Sequence, residues 1–161
     1  MKIRLATSTD LDGIQRVGQI CWPETYSAIA PPGYVDDGLR QWWSTASIHR
    51  SITADENWLW VAEAAGEIIG TAHFALLDPQ QAVLWKFYVL PAWQGKGVGR
   101  QLFDRALTLL PADVHTIFTE YLATNQRAAA VYASLGFVFD REVDETFQGH
   151  PLRYTWAKQP C

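Results

Sequence analysis

The chain is poor in cysteine, in basic residues and in long apolar runs, and each shortage excludes a class of protein. Two cysteines, Cys21 and Cys161, in 161 residues cannot form a disulfide framework, which predicts a reduced, cytoplasmic protein held by an apolar core. No apolar run approaches the roughly 20 residues of a membrane span. Met1-Lys2-Ile3-Arg4-Leu5 leads into mixed polar sequence without a signal-peptide core, so no membrane association is expected. Lys and Arg number 13 against 17 Asp and Glu, for a net charge of −4, and no basic run argues for a nucleic-acid partner. Four histidines (His49, His73, His115, His150) are scattered without metal-ligand spacing, and no metal site is predicted. A Gly-x-Ser-x-Gly nucleophile turn is missing as well. So are repeats, linkers and low-complexity tracts, which makes residues 1–161 one domain. What is present is 48% apolar and 19% charged residues, a globular composition in a chain long enough for a sizeable core.

One stretch organises the rest. Residues 83–90 read as a strand, with aromatic and β-branched side chains crowded before Pro91. Val98, Leu102, Ala106 and Leu109 then recur at helical spacing until Pro111. Between them lies a short loop with Gly95, Gly97 and Gly99. Glycines let a backbone turn tightly and approach a ligand closely. A helix N-terminus adds unpaired N–H groups and partial positive charge, so strand, glycine-rich loop and helix together suit phosphate. Lys96 and Arg100 supply full charges. The spacing is not Gly-x-Gly-x-x-Gly, and no Ser or Thr follows Lys96, so dinucleotide and Walker-type loops fit poorly and a nucleotide-binding domain is disfavoured.

The run Gln94-Gly95-Lys96-Gly97-Val98-Gly99 resembles the Gln/Arg-x-x-Gly-x-Gly/Ala signature of the Gcn5-related N-acetyltransferases, and Phe87-Tyr88-Val89-Leu90-Pro91 is similar to the run before it. A second segment, Asn125 to Phe137, is similar to the family's Asn-x-x-Ala-x-x-x-Tyr-x-x-x-Gly-Phe and stands about thirty residues further on. The resemblance implies that acetyl-CoA is bound by Phe87, Tyr88, Val89, Gln94, Gly95, Lys96, Gly97, Val98, Gly99, Arg100, Asn125, Ala128 and Tyr132. The loop would wrap the pyrophosphate and Asn125 would lie by the pantetheine arm.

The remaining chain agrees in order. Lys2 to Ala6 reads as a strand, and Ser8 or Thr9 can cap a helix carrying Leu11, Ile14, Val17 and Ile20 that Pro23 should end. Trp22 to Gly33 reads as an aromatic-rich loop, followed by helical sequence at 35–43 and 48–53. Trp58–Glu63 and Ile68–Leu77 form a hairpin around Ala65-Gly66. After the organising strand and a helix to Leu110 come a strand at 114–122 and a helix capped by Thr124 or Asn125 and closed by Gly136. A strand pair at 137–143 and 152–157 ends the chain. The order β-α-α-α-β-β-β-α-β-α-β-β looks like the single-domain acetyltransferase fold: α/β (α+β), with a mixed, mostly antiparallel sheet flanked by helices.

Acetyl transfer to an amine requires a neutral amine, a stabilised carbonyl oxygen and a protonated leaving thiolate. The family position makes Tyr132 the candidate acid and a backbone N–H near Val89 the oxygen's donor. Several relatives carry a glutamate early in the central strand, but no carboxylate lies between Val83 and Pro91, and Lys86 is a poor substitute. Glu120, on a strand face with Phe118 and Leu122, is the first candidate base, because apolar neighbours raise a carboxyl pKa. Glu24 is the second, and water the third. The acceptor site is expected around Trp22, Glu24, Tyr26, Tyr34, Trp42 and Trp43 on one side and Phe147 and His150 on the other. Aromatic walls and few cations suit a small or peptide amine with an apolar portion better than a highly anionic acceptor. The expected activity is direct acetyl transfer to a primary amine in a ternary complex, with a non-catalytic acyl-CoA-binding sensor as the alternative. The end strands, like those of relatives, could support a homodimer.

Overall fold

A computed structural model describes residues 1–161 and consists of one seven-stranded sheet with helices on both faces. The strands are β1 (Lys2–Leu5), β2 (Asn57–Ala64), β3 (Glu67–Asp78), β4 (Gln81–Val89), β5 (Thr116–Leu122), β6 (Val138–Phe147) and β7 (His150–Pro160). The helices are α1 (Leu11–Tyr26), α2 (Tyr34–Trp42), α3 (Thr45–Thr53), α4 (Val98–Leu107) and α5 (Gln126–Ser134). Strand order is β1-β2-β3-β4-β5-β7-β6, antiparallel throughout except for the parallel pair β4 and β5. Helix α4 is the crossover between those two parallel strands, as such a connection requires. No helix is long and apolar enough to cross a membrane.

Alternation along β4 distributes the layers. Phe87 faces Tyr132 of α5 at 6.1 Å, while Tyr88 faces Trp43 at 5.5 Å and hydrogen-bonds Tyr26 of α1. On the α4 side Phe103 packs on Phe74, with ring centroids 6.1 Å apart. The largest fully buried side chains include Trp43, Phe74, Phe103, Ile14 and Ile48, so both faces contribute to the core.

Helix α1 departs from the expected pattern. Pro23 lies inside it, and the helix continues to Tyr26. Proline removes the N–H that would reach the carbonyl of Gln19, but Gln19 is exposed, so water can satisfy that carbonyl. The Ser27 N–H still donates to the Pro23 carbonyl at 3.1 Å. Trp22 and Tyr26 are buried one turn apart, and that burial outweighs the lost bond. The segment from Trp22 to Tyr26 is therefore helix, not loop. At the start of α1 the Asp10 carboxylate accepts from the Thr7 N–H at 2.8 Å, and Arg4 grips that carboxylate at 2.8 and 2.9 Å. Thr7, rather than Ser8 or Thr9, thus caps the 3₁₀ turn Ser8–Asp10 that leads into α1, and Asp10 is the N-cap of α1 itself. Helix α4 ends at Leu107 instead of Leu110, because its last turn tightens into i→i+3 bonds (Thr108, Leu109 and Leu110 to the carbonyls of Arg105, Ala106 and Leu107) before Pro111. The last two strands run longer than expected, to Phe147 and Pro160, because β7 is paired on both sides by β5 and β6.

Two glycines let the helices meet the aromatic core. A Cβ on Gly18 would lie 2.2 Å from the Trp43 ring, and one on Gly38 would lie 2.0 Å from the Trp22 ring. Alanine is the better helix former, yet here it must displace an indole. Gly18→Ala and Gly38→Ala are each expected to lower stability by about 1–3 kcal/mol, the usual cost of overpacking. Denaturant titration checks this, and neutral or stabilised variants would contradict the packing described.

Candidate active site

Strands β4 and β5 part company halfway along. Their ladder runs from Gln81 opposite Thr116 to Leu84 opposite Thr119, and stops there. On the other edge of β4 the register slips: Thr71 pairs with Tyr88 and His73 with Trp85, so Lys86 and Phe87 together oppose Ala72. This is a β-bulge, and Lys86 adopts a left-handed φ of 39° within it. The bulge bends the second half of β4 away from β5.

Side chains satisfy the backbone around the fork. The Thr119 hydroxyl donates to the Leu84 carbonyl at 3.3 Å, and the Thr71 hydroxyl to the Lys86 carbonyl at 2.6 Å. The Val89 carbonyl accepts from Gln94 Nε2 at 2.8 Å and from Cys21 Sγ at 3.5 Å. Gln94 Oε1 in turn accepts from Arg127, tying the strand end to α5. Burial pushes the Cys21 thiol up to about 12, so it serves as a small buried group and not as a nucleophile.

The gap opens into a cleft of about 710 Å³. At one end the chain leaves Leu90 through a 3₁₀ turn (Pro91–Trp93) and enters α4 over Gly95 and Gly97, at φ of 73° and 80°. Gly97 is the N-cap and has no side chain to offer, so nothing caps the first turn of α4 from within the chain. A Cβ on Gly99 would lie 3.3 Å from the Phe87 ring, which leaves no room for a larger side chain under the loop. Arg100 reaches across to the Ser134 carbonyl at 2.7 Å. Opposite, Asn125 caps α5, accepting from the Ala128 N–H at 3.0 Å, and Gly136 closes that helix at φ 100°.

All the residues expected to hold the cofactor line this cleft except Lys96. Lys96 is exposed, with its ammonium 5.2 Å over the Trp93 ring. Trp22, Tyr26 and Trp43 also line the cleft, joined by Tyr34, Trp42, Trp85, Lys86 and Tyr154. Glu24 does not: it is exposed on α1, because the helix that runs through Pro23 turns Trp22, Thr25 and Tyr26 inward instead. Trp22 stacks on Tyr34 at 5.3 Å, and Trp42 stacks on Phe147 at 4.3 Å, so Phe147 backs the wall without lining it.

Several titratable groups in the cleft are displaced from their ordinary behaviour, and three of them bear on acetyl transfer. Burial raises the Glu120 carboxyl to about 7, helped by the neighbouring charge of Glu145. Burial lowers Lys86 to about 8, with Arg50 adding to the effect. Burial also raises the Tyr132 phenol, whose ring lies between Tyr121 (5.6 Å, stacked) and Phe137 (5.6 Å, edge-on). A carboxyl near neutrality and a phenol held protonated are a workable base and acid. Lys86 and Tyr154 escaped the sequence reading as cleft residues. A lysine gives no signal of a bulge, and Tyr154 sits in a strand whose pattern reads as ordinary sheet.

Residues 14–137 match the model of the acetyltransferase (GNAT) family. The N-alpha-acetyltransferase RimI of Mycobacterium tuberculosis is 28% identical over 98 residues, which covers 59% of this chain and 61% of that protein. A probable N-acetyltransferase of the same organism is 27% identical over 156 residues, covering 94% and 86%. The PaiA N-acetyltransferase from Thermoplasma acidophilum, solved in complex with coenzyme A, superposes with a TM-score of 0.80 at 19% identity, over 95% of this chain and 96% of that one.

The cradle fits coenzyme A: an uncapped helix start, positive-φ glycines and a glycine pressed against Phe87. Gly97→Val and Gly99→Val are expected to weaken coenzyme A binding in calorimetry. The first strains a left-handed backbone and the second collides with Phe87. Lys96→Ala should cost less, since the backbone amides remain. Unchanged affinity in both valine variants would remove the loop from the cofactor site.

Proposed function

The chain belongs to the acetyltransferase (GNAT) family, which uses acetyl-CoA, and from that premise we propose that it acetylates a primary amine of a small molecule or peptide by direct transfer in a ternary complex. One observation carries the reading. A single cleft joins an open helix start, a length of strand without a neighbour on its β5 side and a carboxyl poised near neutral pH. The RimI relative is named an N-alpha-acetyltransferase, which supports keeping peptide α-amino groups among the acceptors.

In this reading the first-turn amides of α4, with Arg100, hold the pyrophosphate. Residues 87–89 of β4, Asn125 and Ala128 flank the pantetheine arm. Bound there, acetyl-CoA supplies the acetyl group as a thioester. Glu120 takes the proton from the acceptor's ammonium, which must be neutral to attack. Near pH 7 a useful fraction of Glu120 is ionised, and it is basic enough to accept. The amides of 87–89 that have lost their β5 neighbours are the donors for the carbonyl oxygen as it gains charge. Tyr132 keeps its proton at neutral pH and can release it from Oη to the departing sulfur. Glu24 has no part in this scheme, since it lies outside the cleft. A binding-only sensor would have no use for a carboxyl near neutrality, and Glu120 therefore favours turnover.

Tyr132→Phe should lower kcat by about 10²–10⁴-fold while leaving coenzyme A affinity unchanged. A kcat within a few-fold of the parent would make Tyr132 a packing residue. Glu120→Gln should lower kcat at neutral pH and abolish an acid limb in kcat/KM centred at about 7.

The same shift has a stability consequence. The folded value, about 7, lies above the ordinary 4.5, so between those pH values the native state binds more protons than the unfolded chain. Native stability from this group is therefore lost as pH rises through that window. The melting temperature of Glu120→Gln relative to the parent should be higher at pH 8 than at pH 4. A pH-independent difference would contradict the burial of an ionisable Glu120.

A further inference from the structure

Lys86 is the only cation lining the acceptor half of the cleft, and the mechanism above leaves it unused. It turns towards the face that carries α1 and α3, whereas the phosphate loop leads into α4 on the other face. Its ammonium has three donors and one recorded bond, to Ser51 Oγ at 3.3 Å. The Trp43 ring lies 6.0 Å away. No carboxylate is within ion-pair distance. The neighbouring charge, Arg50, has the same sign. His73, packed beside it, is buried, bonded to Asn57 at 2.7 Å and held neutral, its pKa lowered by burial to about 3.

The backbone adds a second observation. At φ 39°, position 86 would suit glycine or asparagine better than a residue with a long side chain. Strain of this kind persists where the surroundings hold it, and it collects at functional sites. Here it aims a half-buried ammonium into a ligand cleft without giving it a counter-ion. Glu120 lines the same cleft, with Trp42 and Trp85 as further walls.

We propose that Lys86 anchors a carboxylate of the acceptor, so that the acceptor is an amino acid or a similar amine bearing a carboxylate. The amine would be taken at Glu120, the carboxylate at Lys86, and an apolar body would lie against Trp42 and Trp85. This rests on the acetyltransferase reading and narrows it. The zwitterion brings one charge of each sign, matching the two opposite groups in the cleft. It is not the highly anionic acceptor that the scarcity of cations excludes.

The test uses matched pairs of acceptors that differ only in the carboxylate: phenylalanine with phenethylamine, tryptophan with tryptamine, leucine with isopentylamine. Thiol release from acetyl-CoA is followed for the intact protein and for Lys86→Met, which keeps the stem and removes the charge, and Lys86→Arg, which keeps a charge. The parent should prefer the carboxylate-bearing member of each pair. In Lys86→Met, KM for those members should rise by about ten- to a hundredfold, the range expected on losing a hydrogen bond to a charged group. The plain amines should be unaffected, and Lys86→Arg should recover part of the preference. Coenzyme A affinity by calorimetry shows that each variant is folded. Should Lys86→Met fail that control, Lys86→Asn replaces it, because asparagine tolerates the left-handed backbone. Plain amines turned over as well as their carboxylated partners by the parent would overturn the inference and leave acetyl transfer standing. So would a loss in Lys86→Met that is equal for both members. No thiol release with any member would overturn the inference, and no release with peptide amines as well would overturn the acetyl-transfer reading on which it rests.

Discussion

The parting of β4 from β5 is the constraint on which the rest depends. A regular β4 would continue its parallel ladder past Leu84, and the sheet would leave no space for a ligand. The bulge at Lys86 and Phe87 prevents this, because two residues opposing Ala72 bend the strand and change its twist. The bend exposes backbone that must find other partners, since a buried unpaired peptide group costs about 1–3 kcal/mol. Thr71, Thr119, Gln94 and Cys21 provide them from four different elements or loops. The cleft is thus kept open by side chains that are themselves fixed in the sheet, in α1 and in the loop before α4.

The aromatic cluster is the second consequence. Separating the strands leaves the α1–α3 face of the sheet without backbone filling, and Trp22, Tyr26, Tyr34, Trp42 and Trp43 occupy that side. Aromatic rings cover large areas at little entropic cost, and pairs at 4.6–5.5 Å around Trp22 add modest attraction beyond burial. Their size has requirements of its own. Gly18 and Gly38 exist to admit Trp43 and Trp22, and α1 must run through Pro23 to place Trp22 and Tyr26 one turn apart. The helix defect and the two glycines therefore follow from one packing demand.

This division explains what was legible in the sequence. The glycine-rich turn into α4 could be read because turning a backbone through φ of 73° and 80° favours glycine. Asn125 and Gly136 were legible for similar reasons, one as a cap and one as a helix stop. The mixed, mostly antiparallel character of the sheet followed from element order. The bulge was not visible, because Lys86 adopts a conformation that its side chain does not advertise. The continuation of α1 was hidden too, since local rules end a helix at proline and only the buried tryptophan and tyrosine overrule them. Glu24 was misplaced by the same error: read as loop, it could face the acceptor, whereas as helix it must turn outwards.

Burial then sets the chemistry. Removing Glu120 and Lys86 from water disfavours the charged form of each, so the carboxyl rises to about 7 and the ammonium falls to about 8. Opposite groups are driven towards the same pH by one cause. Near neutrality the cleft thus holds a carboxyl that is partly protonated and an ammonium that keeps its proton by a smaller margin than an exposed lysine would. Each gains most from a partner of opposite charge, because the low dielectric that weakens an unpaired charge strengthens a paired one. An acceptor offering an ammonium to one and a carboxylate to the other would restore both charges as it binds. Its departure as an acetylated amine, no longer cationic, would remove half of that attraction. On that proposal, product would be held less firmly than substrate by the groups proposed to select it.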